Sequence, residues 1–375
     1  MKPGLLRSAA LRLLAGARVR RSSPGGAVGR VCLFKPDGIG DFVLSLGALR
    51  LLAAHHGEAN CEIVVSSPVA DLARAEFPLA RILSLPLIGA SRGLERVVRG
   101  WFKWRQCLST HTADMIFCLR HHRNLEEECA LLWMNARQVV GLTNSTQGIA
   151  AADQAALPPT LTASAPRPVR SDLALCLELE SHRQLLRLAL SREIATDELL
   201  PRLVSASPTP GSALLLAPFS SSVFKDYPNP QMVEAVAQLL ARIRVPLQLA
   251  GSPGDRPRLE ELRHLVESRC GVPLELLPAG SVVEFARAIA RARAVLTVDT
   301  AAAHLATALD KPTVVIHNGV HFGMFGPWCR SERQRWLVHP LDCFGCGGSC
   351  PYPQPECIHR VEPRTVADAL VAVMG

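Results

Sequence analysis

The strongest constraint on the fold of this chain is a recurring order of short apolar runs, each followed by a longer amphipathic run. Short apolar runs are typical of buried strands, and the longer runs have the spacing of helices. Strands that alternate with helices predict parallel sheets covered by helices on both faces. At 375 residues, the chain is long enough for two such domains.

The first half predicts one α/β domain. Its strands are expected near 30–35, 61–66, 82–85, 114–119 and 138–141. Its helices are expected near 41–55, 68–77, 91–110, 124–136 and 171–190. The stretch 150–170 is rich in Ala, Pro and Ser and predicts a loop.

The second half predicts another doubly wound sheet. Its strands are expected near 213–219, 246–251, 274–277, 294–298 and 313–317, and its helices near 230–243, 255–269, 281–291 and 300–309. The segment "SASPTPGS" between the halves is typical of a linker. We therefore expect a basic leader (1–29), an N-terminal domain (30–205), a linker (206–212) and a C-terminal domain with a Cys-rich tail (213–375).

The leader concentrates the positive charge of a chain whose formal net charge is +8. Bases interleaved with leucines are typical of a short amphipathic helix on anionic lipid, and a disordered basic segment is the equal alternative. No apolar stretch reaches the roughly 20 residues that span a bilayer. We therefore expect a cytoplasmic protein that contacts the inner face of the membrane through its leader.

Three predicted strand-to-helix turns carry polar residues where parallel sheets place their ligands. The first turn, "KPDGIGD", contains Lys35 and Asp41. Asp41 has two interpretations, as the N-cap of the following helix or as a carboxylate directed into a cleft. The second turn, "APFSSSVFK", offers the hydroxyls of Ser220 and Ser221 and the cation of Lys225. These groups suit a phosphate, although a Ser-rich surface loop explains them equally well.

The third turn, "VDTAAAH", contains Asp299, Thr300 and His304. Three alanines in the first turn of a helix leave its N–H groups uncovered, so that an anion can approach the helix end. An ordinary Ala-rich buried helix is the alternative. Two phosphate-compatible turns in one domain favour a ligand that carries phosphates.

The missing motifs narrow the choice of ligand. The sequence has no D-x-D pair for a nucleotide-bound metal and no G-x-G-x-x-G dinucleotide fingerprint. A nucleotide sugar whose diphosphate is neutralised by protein groups fits these absences. With two Tyr in the chain, the interleaved aromatics of a nucleic-acid surface are missing, and we expect no nucleic-acid partner.

Three segments together resemble the heptosyltransferase-like glycosyltransferases of family 9. They are "KPDGIGDFVLSLGALRLL", "APFSSSVFKDYP" and "VDTAAAHLATALDKPTVVIHNG". The resemblance covers roughly residues 30–370. It implies the GT-B architecture, in which two doubly wound Rossmann-like domains face a cleft.

The resemblance also implies an activity and a set of site residues. The activity is inverting, metal-independent transfer of a heptose-like sugar from a donor such as ADP-heptose to lipopolysaccharide or a related glycan or glycolipid, without a catalytic cofactor. Asp41 would be the general base. The donor would be bound by Ser220, Ser221, Lys225, Asp255, Asp299, Thr300 and His304. The segment "NGVHFGMFGPW" replaces the family's Gly-Pro-Thr-Asp-Pro and leaves the sugar open.

Two further clusters are candidates for binding. Basic residues follow two predicted strand ends of the first domain. One is Lys35, and the others belong to the segment "RHHR", which contains Arg120, His121 and Arg123. They would suit a phosphorylated or acidic acceptor, with a solvated basic loop as the alternative. A nucleotide-sugar-binding protein without transferase activity is the rival function, and an assay of donor hydrolysis separates the two.

The tail contains a close group of four thiols. Their spacing is C-x2-C-x3-C-x6-C, and they are Cys343, Cys346, Cys350 and Cys357. This spacing predicts a structural zinc or iron–sulfur site. A pair of disulfides, or free thiols in a loop, are the alternatives.

Overall fold

The computed structural model describes residues 29–87, 94–143, 160–168, 175–209 and 211–375, and the side chains of 94–98 are left aside. Residues 1–28 of the predicted leader lie outside the described residues. So do parts of the predicted loop at 150–170 and the start of the helix predicted at 171–190.

The contacts of the chain divide it into two compact units. The first unit contains most of the chain up to Leu199. The second contains Leu200–Gly375, a short piece ending at Leu179, and the segment Ile39–Leu46.

The first unit is built on a parallel six-stranded sheet in the spatial order β3-β2-β1-β4-β5-β6. Its strands are β1 (Val31–Lys35), β2 (Cys61–Ser66), β3 (Arg81–Leu85), β4 (Thr112–Cys118), β5 (Asn135–Leu142) and β6 (Ala163–Ala165). β1 pairs with β2 on one side and with β4 on the other. Because β1 is central, all of its side chains are buried, including that of Lys35.

The second unit is built on another parallel six-stranded sheet, in the order β12-β11-β10-β7-β8-β9. Its strands are β7 (Leu214–Ala217), β8 (Leu247–Leu249), β9 (Leu274–Leu276), β10 (Ala294–Val298), β11 (Thr313–Ile316) and β12 (Gln334–Leu337). Both sheets thus have the 3-2-1-4-5-6 order of doubly wound folds. The order reverses between the first and fourth strands of each unit, and ligands bind at this switch point.

Helices follow the strands in both units. The α-helices of the described residues are α1 (Ile39–His56), α2 (Ala70–Glu76), α3 (Leu94–Leu108), α4 (Leu125–Trp133), α5 (Leu177–Leu190), α6 (Thr196–Leu199), α7 (Asn229–Leu240), α8 (Arg256–Cys270), α9 (Val282–Arg291), α10 (Ala301–Ala308), α11 (Glu356–His359) and α12 (Pro363–Met374). Capping boxes at Asn124 and Ser281 fix the starts of α4 and α9. No described helix is both long and apolar enough to cross a membrane.

The predicted strands and helices are confirmed within a few residues, with exceptions near the edges of the sheets. The loop predicted for 150–170 is wrong at 163–165, which form β6. β12, α6, α11 and α12 are not among the predicted elements. Both missed strands are short edge strands, and "ASA" has little intrinsic preference for a strand. Their strand conformation comes from pairing with β5 and β11.

Candidate active site

The second unit brings the turns after β7 and β10 together, because these two strands are neighbours. Lys225 Nζ donates a hydrogen bond to Asp299 Oδ2 at 3.0 Å. The two predicted phosphate turns are therefore joined by an ion pair at the switch point. Thr300 is the N-cap of α10, but its side chain makes no capping hydrogen bond.

The carboxylate of Asp299 is almost fully buried. Burial alone would raise the pKa of this carboxyl. The interactions with His317, Lys225 and His304 outweigh burial, and the pKa falls to about 2. Asp299 is therefore an anion at neutral pH, and it holds the ammonium group of Lys225 in place.

The serines of the β7 turn have different roles. Ser220 is buried, and its hydroxyl donates to the carbonyl oxygen of Ser222 at 2.7 Å. Its backbone N–H donates to Asp226 Oδ1, also at 2.7 Å. Ser220 therefore shapes the loop, whereas Ser221 is exposed.

His304 lies in the first helical turns of α10, and its ring is nearly parallel to that of Trp328, with an interplanar angle of 7°. Trp328 Nε1 donates to His304 Nδ1 at 3.1 Å. Since an indole N–H can only donate, Nδ1 is the acceptor and the proton of the neutral ring is on Nε2. Burial lowers the pKa of His304 to about 4. At neutral pH, His304 is therefore an uncharged hydrogen-bond donor through Nε2–H.

The buried His304 predicts a loss of stability in acid. The unfolded chain, in which a histidine titrates near 6.5, takes up a proton that the folded protein excludes down to a pKa of about 4. The free energy of unfolding should therefore fall as the pH decreases through this window, by up to about 1.4 kcal/mol per pH unit from this one group. Urea unfolding at several pH values, with His304→Asn as the comparison, measures the contribution. Equal pH slopes for the two proteins would contradict it.

Asp41 lies at the third position of α1, and Gly38 is the N-cap of that helix. The interpretation of Asp41 as the N-cap is therefore wrong. The neighbouring Gly40 packs against His304, since a Cβ on this glycine would lie 2.8 Å from the imidazole ring. Both residues belong to the second unit, because Ile39–Leu46 groups with it.

The predicted ribose-side acid, Asp255, lies beyond the end of β8 in the turn before α8. Ser252 Oγ donates to Asp255 Oδ2 at 2.6 Å. Because β8 neighbours β7, Asp255 lies at the same end of the sheet as the other predicted donor residues.

At the switch point of the first unit, Lys35 and Arg120 share one carboxylate. Lys35 Nζ lies 2.9 Å from Asp37 Oδ2 and donates to the carbonyl oxygen of Leu119 at 3.0 Å. Arg120 pairs with Asp37 and also with Glu127, the latter at 2.7 Å. The cluster combines two bases with two acids in a largely buried position.

Arg123 and His121 have other contacts. Arg123 is buried, forms an ion pair with Glu128 and donates to the carbonyl oxygen of Leu142 at 3.0 Å. These contacts are typical of a residue that stabilises the fold. Arg167 Nη2 lies 3.0 Å from His121 Nε2, and since a guanidinium only donates, Nε2 accepts. His121 Nδ1–H then donates to Ser181 Oγ at 2.7 Å.

Sequence reasoning missed Arg167, Trp328 and His317. Arg167 lies in a segment that composition marks as a loop, and Trp328 lies in irregular chain after β11. Their partners are distant in the sequence, so no local pattern signals the contacts.

The four tail cysteines line one cavity of about 210 Å³ in the second unit. Ser222, Lys225 and Asn318 line the same cavity. All four thiols are free, and the backbone N–H of Gly319 donates to Cys357 Sγ at 3.1 Å. Within the described residues, no three His, Cys, Asp or Glu side chains are arranged to hold a metal ion.

Comparisons with known proteins place this geometry in context. The family model "Glycosyltransferase family 9 (heptosyltransferase)" matches residues 168–346. The chain is 25% identical over 372 residues to lipopolysaccharide heptosyltransferase 1 of Pseudomonas aeruginosa. The alignment covers 92% of this chain and 98% of that protein.

Two solved structures show a similar fold. The E. coli heptosyltransferase WaaC with ADP matches with a TM-score of 0.67 and 18% identity, over 92% of this chain and 99% of that one. The dodecameric iron-containing heptosyltransferase TibC in complex with ADP-D-beta-D-heptose matches with a TM-score of 0.54 and 12% identity, over 94% and 78% of the two chains. The predicted fold class, two doubly wound α/β units of the GT-B type, is confirmed.

Proposed function

We propose that this chain, which is similar to glycosyltransferase family 9 over residues 168–346 and to a lipopolysaccharide heptosyltransferase along its length, transfers a heptose-like sugar from a nucleotide-diphosphate donor to a lipopolysaccharide-type acceptor. One observation carries the proposal. At the switch point of the second unit, the loop that contains Lys225 and the helix end that contains His304 converge on Asp299. A diphosphate needs such a set of a cation, a helix N-terminus and neutral donors.

In this proposal, the leaving diphosphate is stabilised by protein groups, without a divalent metal. Negative charge develops on the diphosphate as the glycosidic bond breaks, and stabilisation at that point contributes most to the rate. Lys225 supplies a full charge, the N-terminus of α10 a partial charge, and His304 Nε2–H a hydrogen bond. Because Asp299 already holds Lys225, the cation needs no reorganisation when the donor binds.

Asp41 would act as the general base for inverting transfer. A sugar hydroxyl is a weak acid, so its proton leaves as the anomeric carbon captures the oxygen. At the third position of α1, the carboxylate is stabilised as an anion by the helix N-terminus, which makes it a weaker base. Its contribution would therefore come from position more than from basicity.

For the acceptor, we propose an acidic or phosphorylated glycan. Lys35, Arg120 and His121 lie at the switch point of the first unit, and Arg167 adds a cation that is held by His121. Arg123 would support this group through Glu128 without touching the acceptor.

The test is a transfer assay with a panel of nucleotide sugars and heptose-deficient lipopolysaccharide, with and without chelator. We expect a mass increase of the acceptor, inversion of the anomeric carbon by NMR, and the same rate with chelator. Donor binding or hydrolysis with no modified acceptor would favour the nucleotide-sugar-binding rival. A rate that depends on added Mg²⁺ would contradict metal independence.

The basic leader is proposed to bring the protein to the inner face of the membrane. Removing residues 1–28 should reduce sedimentation with anionic liposomes, because each Lys or Arg near an anionic membrane contributes about 1 kcal/mol to the binding free energy. Transfer to a soluble acceptor should stay unchanged. Neutral liposomes are the control. Equal binding of the full-length and shortened proteins to anionic liposomes would contradict the role.

The tail cysteines are proposed to hold a structural zinc or iron–sulfur centre. Four thiols on one small cavity have the right chemistry for such a centre, and TibC, a similar structure, is described as iron-containing. Burial, with the nearby Cys343 and Cys350, raises the pKa of Cys357, so a bound cation would be needed to deprotonate it at neutral pH.

Protein purified without chelator should therefore contain about one metal site per chain. Elemental analysis measures this, with the quadruple Cys→Ser variant as the control. Removal of the metal should lower the melting temperature of the wild-type protein and leave that of the variant unchanged. A metal-free, fully active wild-type protein would contradict the proposal.

A further inference from the structure

Arg258 occupies a position where a cation is unfavourable. It is the third residue of α8, and the N-terminus of a helix carries a partial positive charge that repels a guanidinium. Its neighbour Arg256 has the same disadvantage but is largely exposed and pairs with Glu260 on the surface. Arg258 is two-thirds buried, so its position requires compensating contacts.

Three contacts provide this compensation. The guanidinium forms an ion pair with Asp226 and another with Asp255, the latter at 3.2 Å. It also lies 3.9 Å above the centre of the Phe219 ring, a distance typical of cation–π contacts. The planar guanidinium has several N–H donors, so it can pair with two carboxylates and contact an aromatic face at the same time, which an ammonium group cannot.

The two carboxylates belong to different turns of the sheet. Asp226 accepts the backbone N–H of Ser220 at 2.7 Å and thereby fixes the β7 turn. Asp255 lies in the turn after β8 and is oriented by Ser252. Arg258 is therefore a bridge between the proposed phosphate loop and the proposed ribose-side acid.

We propose that Arg258 is a positioning residue that holds Asp255 in register with the phosphate loop, so that one nucleoside diphosphate reaches both with its ribose diol and its phosphates. The inference rests on the proposed donor function of this site. It assigns recognition of the ribose hydroxyls to the Arg258–Asp255 pair, because an acid that is not held at the right distance from the loop cannot accept a hydrogen bond from the ribose while the phosphates are bound.

The experiment compares the affinities of the protein for ADP, 2′-deoxyADP and 3′-deoxyADP by calorimetry. The wild-type protein should prefer ADP to at least one deoxy analogue by roughly 10-fold, the value of one hydrogen bond to a charged group. Arg258→Gln should weaken the binding of ADP by about the same factor. It should also remove the preference for ADP over the deoxy analogue, because the analogue lacks the hydroxyl that makes the lost hydrogen bond. Arg256→Gln, which removes a cation from the same helical turn, should leave the affinities for all three nucleotides unchanged.

Arg258→Lys keeps the positive charge but lacks the planar guanidinium, and it should also lose most of the preference for ADP over the deoxy analogue. This substitution is a second test if Arg258→Gln fails to fold. Retention of the wild-type preference by a folded Arg258 variant would overturn the proposal. So would equal affinity of the wild-type protein for ADP and both analogues. A wild-type protein that binds none of the three nucleotides would instead contradict the proposed function.

Discussion

Asp41→Asn is expected to lower the rate of sugar transfer by roughly 10²–10⁴-fold, the usual contribution of a positioned general base. The amide cannot accept the proton of the acceptor hydroxyl, although it has nearly the same size. The affinity for ADP should remain, because Lys225 and the N-terminus of α10 are unchanged. The measurements are the transfer rate, the ADP affinity and the melting temperature of the purified variant.

Asp71→Asn is the matched control for this substitution. Asp71 also lies in the first turn of a helix, is largely exposed and pairs with Arg74. Both variants lose a carboxylate at a helix N-terminus, which costs about 0.3–1 kcal/mol of stability. Only Asp41→Asn should lose transfer. If it transfers sugar at the wild-type rate, Asp41 is not the base, and His121 or His122 is the next candidate.

Lys225→Met is expected to weaken ADP binding by about 100-fold and also to destabilise the protein. The affinity falls because the diphosphate loses its fully charged partner, and hydrogen bonds to charged groups contribute about 1.5–3 kcal/mol. The stability falls because the buried Asp299 loses the ammonium that lies 3.0 Å away. Breaking a buried pair on one side costs about 3 kcal/mol or more.

The double variant Lys225→Met/Asp299→Asn separates the two effects. It removes the unpaired buried charge, so the free energy of unfolding should return toward the wild-type value. ADP affinity should stay low, because the cation is still missing. If the double variant recovers both stability and ADP affinity, the Lys225–Asp299 pair is structural and the diphosphate binds elsewhere. Calorimetry and urea unfolding on the four proteins of the cycle give both quantities.

The sequence predicts the parts of the candidate site that follow from parallel-sheet geometry. Asp41, Lys225 and His304 all lie just beyond strands that are central in their sheets, because buried parallel strands are recognisable apolar runs and the chain must turn after each one. The glycine and alanine content of these turns marks the places where backbone is exposed to a ligand.

Other features depend on contacts between distant residues and leave no local pattern. The tautomer of His304 is fixed by Trp328, which is 24 residues away. The bridge of Arg258 to Asp226 spans 32 residues. The edge strand β6 is a strand because β5 pairs with it, although its sequence is that of a loop. The roles of Lys35 and Arg123 are similarly set by acids whose proximity appears only in three dimensions.

The hydrogen bond from Trp328 to His304 gives the site an intrinsic optical reporter. Of the five Trp in the chain, Trp101, Trp104 and Trp133 are packed in the core of the first unit, and the Trp336 ring lies 6.1 Å from that of His304. The indole of Trp328 instead shares a hydrogen bond with an imidazole of the proposed donor site. A phosphate that accepts the Nε2–H of His304 changes the electrostatic environment of the hydrogen-bonded indole, and we expect the emission of Trp328 to change with it. We therefore expect that donor binding changes the Trp fluorescence of the unmodified protein, so that a titration can follow it without a label.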